Sequence, residues 1–196
     1  MKEIPLVNDR KKMQIEAAEK DLMAAKKRLV ELRKQAAPRE VTDYVFKTWT
    51  GKEAPLSKLF GKGDELMVIH NMGKQCPYCT LWADGFNGIW KHLDNRAPFV
   101  VVSNDTYTVQ SKFAKGRGWK FKMLSSHKTS FFADMGFAGP KGEPWPGVST
   151  FKRTDDGKIW QVASAGFGPW DDYCSLWPLI DLLPRGINSW EPRYKY

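Results

Sequence analysis

The sequence predicts an α/β protein: a mixed central sheet with flanking helices, preceded by one long helix. Three observations predict this. Two short apolar runs, Glu65–Asn71 and Phe99–Ser103, read as strands buried on both faces. Each is followed by a helical pattern, and a strand–helix–strand unit demands a parallel crossover. Finally, Val148–Arg153 and Ile159–Ala163 flank Asp155–Asp156–Gly157, a strong hairpin signal that adds antiparallel strands.

The elements follow in chain order. Residues 9–37 read as one helix, capped by Asn8 or Asp9 and stopped by Pro38. Within it Ile15, Ala18, Leu22, Ala25, Leu29, Leu32 and Ala36 alternate in spacings of three and four, a narrow apolar seam. Such a seam packs on the protein's own body or pairs with a second copy, so a homodimer through this helix is one expectation. Residues 41–60 read as a strand, a turn at Thr50–Gly51 and a short helix at Leu56–Phe60. After the first buried strand comes CPYC, then TLWADGFNGIWKHL as a helix, with Pro77 at its first position, where a helix accepts proline best. A helix over 106–117 and a short strand over Lys120–Leu124 follow the second buried strand, and 129–137 is irregular or helical. Beyond the Gly/Pro-rich loop Pro140–Gly147 and the hairpin, Trp170–Leu183 reads as a last helix, kinked at Pro178. The division expected is an extension over 1–39 and one domain over 40–196.

Composition narrows the function. The 196 residues carry a net charge of +9, and residues 1–40 hold eleven Lys/Arg against seven Asp/Glu. Elsewhere the charge is thinly spread, without a basic run that would read as a nucleic-acid arm, so no nucleic-acid partner is expected. No stretch has the roughly 18 apolar residues of a membrane span. The opening MKEIPLVNDRKK lacks an apolar region of the signal-peptide kind. Three cysteines with one close pair do not form a secreted disulfide framework. A cytoplasmic setting is expected, where a CxxC pair is more often catalytic or metal-binding than structural. Nine Trp, most of them beyond residue 80, point to an aromatic-rich core or pocket there.

The chemistry centres on Cys76 and Cys79. A thiolate is the reactive form, and a free thiol with a pKa of about 8.5 is mostly protonated at neutral pH. At a helix N-terminus the unpaired N–H groups and the helix dipole favour the anion. Cys76 is therefore expected to be the nucleophile. Cys79, one turn further on the same face, suits a resolving thiol. Zinc is the rival reading, but it takes four ligands as a rule, and Cys174, His70, His92 and His127 show no metal spacing. No metal and no cofactor are expected.

These residues carry a family resemblance. DYVF (43–46), CPYCTLWADGFNG (76–88), WKFKMLSSH (119–127), GVSTF (147–151) and LIDLLPRGINSW (179–190), with the long leading helix, resemble domain of unknown function 899. That family is thioredoxin-like and is described as predicted dithiol–disulfide oxidoreductases. The resemblance covers nearly the whole chain and implies a thioredoxin-like fold with Cys76 and Cys79 as the redox pair. It implies no substrate. Two departures stand out. Gly147, Val148 and Ser149 occupy the region where thioredoxins carry a cis-proline, with Pro146 too early. Peroxiredoxins place a Thr three residues before their peroxidatic Cys, and Gly73 stands there.

Pro77, Tyr78, Trp82, Trp145, Val148, Ser149 and His127 are the candidate substrate-binding or pocket residues. Packing is the plainer role for Trp82 and Phe86, a solvated surface for Asp84, and a backbone-bonded core position for His70. The expected function is a thiol–disulfide oxidoreductase acting on a protein or small-molecule disulfide, recycled by a thiol reductant. The alternatives are a thiol peroxidase, or a non-enzymatic redox-sensing or binding module on the same scaffold.

Overall fold

The computed structural model describes residues 9–196. They divide into two compact units at the Ala37–Pro38 junction. The first is α1 (Asp9–Gln35), which ends two residues before the sequence expectation and has no buried residue. Asn8, the alternative cap, lies outside the described residues. Arg33 and Lys34 in the last turn complement the helix dipole, and Lys34 also pairs with Glu31 at 2.8 Å.

The second unit is an eight-stranded mixed sheet. Its strands are β1 (Arg39–Val41), β2 (Val45–Lys47), β3 (Glu53–Pro55), β4 (Glu65–Asn71), β5 (Phe99–Ser103), β6 (Lys122–Ser125), β7 (Gly147–Arg153) and β8 (Ile159–Gly166). They lie in the order β1-β8-β7-β4-β5-β6-β2-β3. β4, β5 and β6 run parallel, connected through α2 (Pro77–Arg96) and α3 (Tyr107–Arg117). β7 pairs antiparallel with β4, so the hairpin β7–β8 extends the sheet from its centre.

The alternation of side chains along β4 sets two cores, one on each face. Leu66 and Val68 join Phe46, Phe131, Phe132, Phe137 and Phe151 on one side. Met67 and Ile69 turn to the other, against Cys79, Trp82, Phe86, Trp119, Phe121 and Trp177. The aromatic-rich region expected beyond residue 80 is this second core. Cys79, Thr80, Trp82, Ala83 and Phe86 fall on one stripe of α2, and burying each large side chain in it contributes about 1.5–3 kcal/mol.

α4 (Phe131–Asp134), a single turn, falls within the stretch read as irregular or helical. The structure departs from expectation in two places. β1 and β3 are three-residue strands with too little pattern to read, and Leu56–Lys58 after β3 is a 3-10 turn. The last helix, α5, spans only Leu176–Asp181 instead of starting at Trp170. Trp170 has φ +66°, outside the helical region, so the chain turns there before α5 begins.

Candidate active site

The site grows from the C-terminal end of β4. Asn71, buried at the strand's end, takes the backbone N–H of Gly73 on its Oδ1 (2.8 Å) and donates through Nδ2 to the Cys79 carbonyl (3.3 Å). One side chain thus fastens the strand to the first turn of α2. Gly73 adopts φ +102°, a conformation that favours glycine. The Asp105 carboxylate then packs against it and accepts the Lys74 backbone N–H at 2.7 Å. The chain turns once more, with Cys76 N–H on the Gly73 carbonyl at 3.2 Å, and delivers Cys76 to the N-cap of α2.

Cys76 caps the helix with sulfur: its Sγ accepts the Cys79 backbone N–H at 3.0 Å. Pro77 occupies the first helical position, where its missing N–H costs nothing. Cys76 is half-buried, while Cys79 is 1% exposed, and both are free thiols. The two sulfurs titrate as a pair. The Cys79 thiol donating to Cys76 pulls the Cys76 pKa down to about 7, with the Cys79 and Tyr78 backbone N–H groups adding to it and burial opposing. Cys79 moves far upward, because it supplies that hydrogen bond and is buried. A hydrogen-bonded anion at Cys76 and a protonated Cys79 one turn behind it can attack and then close a disulfide.

The other candidate residues are placed variously. Tyr78 packs 6.3 Å from both Trp82 and Trp177, half-buried. Trp82 is core: 3% exposed, 5.4 Å from Phe167, with its indole N–H on Asp171 at 3.4 Å. Val148 packs on the cysteine side of the sheet. Ser149, the next residue, projects to the opposite side and does not line the cysteine site. It is fully buried, bonded to His70 Nε2 at 2.8 Å, and accepts from Gln161 at 2.9 Å. Trp145 is 47% exposed, and its backbone N–H donates to the Phe137 carbonyl. His127 lies on the same sheet edge as Cys76 but two strands away, with Nδ1 3.2 Å from the Asn104 carbonyl. Pro146 borders the same small void as Cys79, together with Phe167 and Asn71.

Asp84 takes the Trp119 indole N–H at 2.8 Å and pairs with Arg117, so its work is to tie α2 to the end of α3. Asn87 does likewise, accepting from Lys120 N–H at 2.8 Å. Asn71 and Asp105 escaped the sequence reading. The signal available was a buried-strand asparagine two residues before a glycine, and an aspartate two residues after the next strand. Among the described residues no group of three or more His, Cys, Asp and Glu is arranged to hold a metal, and no helix is long and apolar enough to cross a membrane.

A cysteine-capped helix behind a central parallel strand of a mixed sheet defines a thioredoxin-fold thiol protein. Residues 8–196 match the family described as bacterial protein of unknown function (DUF899), and the chain belongs to that family. Among solved structures it is similar to peroxidoxin BcpB from Mycobacterium tuberculosis, at 26% identity and TM-score 0.53 over 66% of this chain and 84% of that one. Reduced Prx3 from Vibrio vulnificus, solved in complex with hydrogen peroxide, shares the fold at 15% identity and TM-score 0.54, covering 69% of this chain and 90% of that one. Peroxiredoxin Q from Xanthomonas campestris shares it at 19% identity and TM-score 0.50, over 63% and 80%. None of the curated proteins matches. The likeness to the peroxidoxin supports a thiol-based redox function; the other two show the fold.

Proposed function

We propose that the protein is a dithiol–disulfide oxidoreductase that cycles Cys76 and Cys79. The observation that carries this reading is the sulfur N-cap: Cys76 Sγ holds the Cys79 N–H at 3.0 Å, with its pKa near 7 and its partner protonated. Cys76 thiolate attacks one sulfur of a substrate disulfide, forming a mixed disulfide and expelling a thiolate that takes a proton from solvent. Cys79 then attacks Cys76 Sγ, and its proton passes to the departing substrate sulfur. The second substrate thiol leaves, and the protein holds a Cys76–Cys79 disulfide. The substrate gains two electrons, and an external thiol reductant returns them to the protein. A reducing compartment such as the cytoplasm suits that cycle.

The test is paired substitution. Cys76→Ser abolishes disulfide reduction, and Cys79→Ser accumulates a mixed disulfide visible as a mass adduct. Full activity in Cys76→Ser ends the reading.

The 26% identity to a peroxidoxin favours a second reading, a thiol peroxidase in which Cys76 is oxidised to a sulfenate that Cys79 condenses with, releasing water. Gly73 stands where peroxiredoxins carry threonine. Stopped-flow consumption of peroxide by the reduced protein distinguishes the two.

A further inference from the structure

An open groove of about 730 Å³ is bounded by α3, the loop after β4 that leads to Cys76, and the C-terminal tail. Its walls carry Lys74, Lys112, Arg117 and Lys195, and its aromatic side is Phe113 and Tyr194. The groove is built rather than incidental. Arg117 Nη1 donates to the Tyr194 carbonyl at 2.7 Å, fixing the tail, and the Phe113 and Tyr194 rings meet edge-on at 6.1 Å. Phe113 in turn stands edge-on to Trp119 at 5.5 Å. Two of the nearby acids are engaged elsewhere. Asp84 pairs with Arg117, and Asp105 is engaged by the Lys74 backbone and not by its ammonium. Lys74, Lys112 and Lys195 all present exposed side chains.

Two features tie the groove to the sulfurs. Lys74 stands two residues before Cys76, on the turn that delivers the cap. The Tyr194 phenol feels the charge of both thiols in addition to its own burial, and its pKa rises.

We propose that this groove is a subsite for the anionic arm of the substrate, which is a small disulfide bearing carboxylates. Resting on the oxidoreductase reading, this names the substrate class. One substrate sulfur meets Cys76 while its carboxylates lie among Lys74, Lys112 and Lys195 and its carbon chain lies on Phe113 and Tyr194. Clustered cations of one sign raise the local concentration of anions and speed their encounter, an effect that salt weakens. The covalent steps are those of the cycle above, with the two product thiols leaving as carboxylate-bearing fragments.

The experiment compares three small disulfides on the whole protein with dithiothreitol as reductant: 3,3′-dithiodipropionate (anionic), bis(2-hydroxyethyl) disulfide (neutral) and cystamine (cationic). The expected order of kcat/KM is anionic over neutral over cationic, with about tenfold between the extremes at low salt and a smaller ratio at high salt. Lys112→Glu with Lys195→Glu inverts the order. Lys152→Glu with Lys158→Glu, at the hairpin on the opposite end of the sheet, leaves it unchanged. In parallel, Cys76 is alkylated with iodoacetate and iodoacetamide, and the rate ratio is referred to that of the unfolded chain. A ratio shifted toward iodoacetate supports the subsite without any turnover. Equal kcat/KM for all three disulfides, or an unshifted alkylation ratio, overturns the subsite while leaving the redox pair intact. Failure to turn over any disulfide, with the alkylation preference present, overturns the oxidoreductase reading and leaves the anion groove.

Discussion

The Asp105 carboxylate occupies the space beside Gly73, with Oδ2 2.7 Å from where a Cβ on that glycine would lie. The glycine is therefore required twice, by its φ of +102° and by its neighbour. Gly73→Ala is expected to cost about 1–3 kcal/mol, read by urea unfolding, and to slow alkylation of Cys76 by displacing the turn. Asp105→Ser added to it recovers only the steric part, because the backbone strain remains. A fully stable Gly73→Ala protein would contradict this account.

Asn71 bridges Gly73 and Cys79, and both of its contacts are buried. Asn71→Ala leaves the Gly73 N–H and the Cys79 carbonyl short of a partner, an expected loss of about 1–3 kcal/mol by chemical denaturation. It also loosens the first turn of α2, so the pH midpoint for Cys76 alkylation rises.

Alkylation of Cys76 is expected to titrate with a midpoint near pH 7 and to fall about tenfold per unit below it. The Cys79 thiol is the largest cause of that low value, so Cys79→Ala moves the midpoint up toward an ordinary thiol. Cys79→Ser, which keeps a hydroxyl donor, moves it less. An unmoved midpoint in Cys79→Ala would locate the cause elsewhere.

The same shift links to stability. The folded pKa of Cys76 lies below its ordinary value of 9.0, so the unfolded chain binds more protons between pH 7 and 9. The contribution is fully present above the unfolded value and is lost as pH falls through about 7. Stability of the reduced protein thus rises from pH 7 toward 9, where the raised pKa of Cys79 begins to oppose it. Cys76→Ser removes the rise, which denaturation at pH 7 and 8.5 measures.

His70 is wholly buried, stacked 4.1 Å from the Phe137 ring, with Nε2 on Ser149 and Nδ1 without a hydrogen bond. Burial pushes its pKa down from 6.5 to about 3. Between those values the unfolded chain binds the extra proton, so stability falls with pH at about 1.4 kcal/mol per unit below 6.5. From pH 7.5 to 5 the loss is about 2 kcal/mol by urea unfolding. His70→Gln, which does not titrate, flattens the slope.

Much of this was legible in the sequence because the strong signals are local. Glu65–Asn71 and Phe99–Ser103 are apolar enough to read as buried strands, and Pro77 fixes where α2 begins. Cys76 and Cys79 emerged for the same reason: their setting is a strand, a proline and a helix in succession. What escaped depends on contacts distant in sequence. Asp105 meets Lys74 across 31 positions, and Arg39 meets Gln161 across 122. Ser149 illustrates a narrower limit. Val148 packs on the cysteine side, but the pleat sends the next side chain through to the other layer. The tail residue Tyr194 carried no local mark, since only folding brings it to α3.

The burial of Cys79 bears on kinetics. With that sulfur sealed and Cys76 open to solvent, oxidant and reductant must use the same single atom, and they cannot occupy it together. Each must depart before the other arrives. In the cycle proposed above, double-reciprocal plots at several reductant concentrations should run parallel, as in a ping-pong scheme.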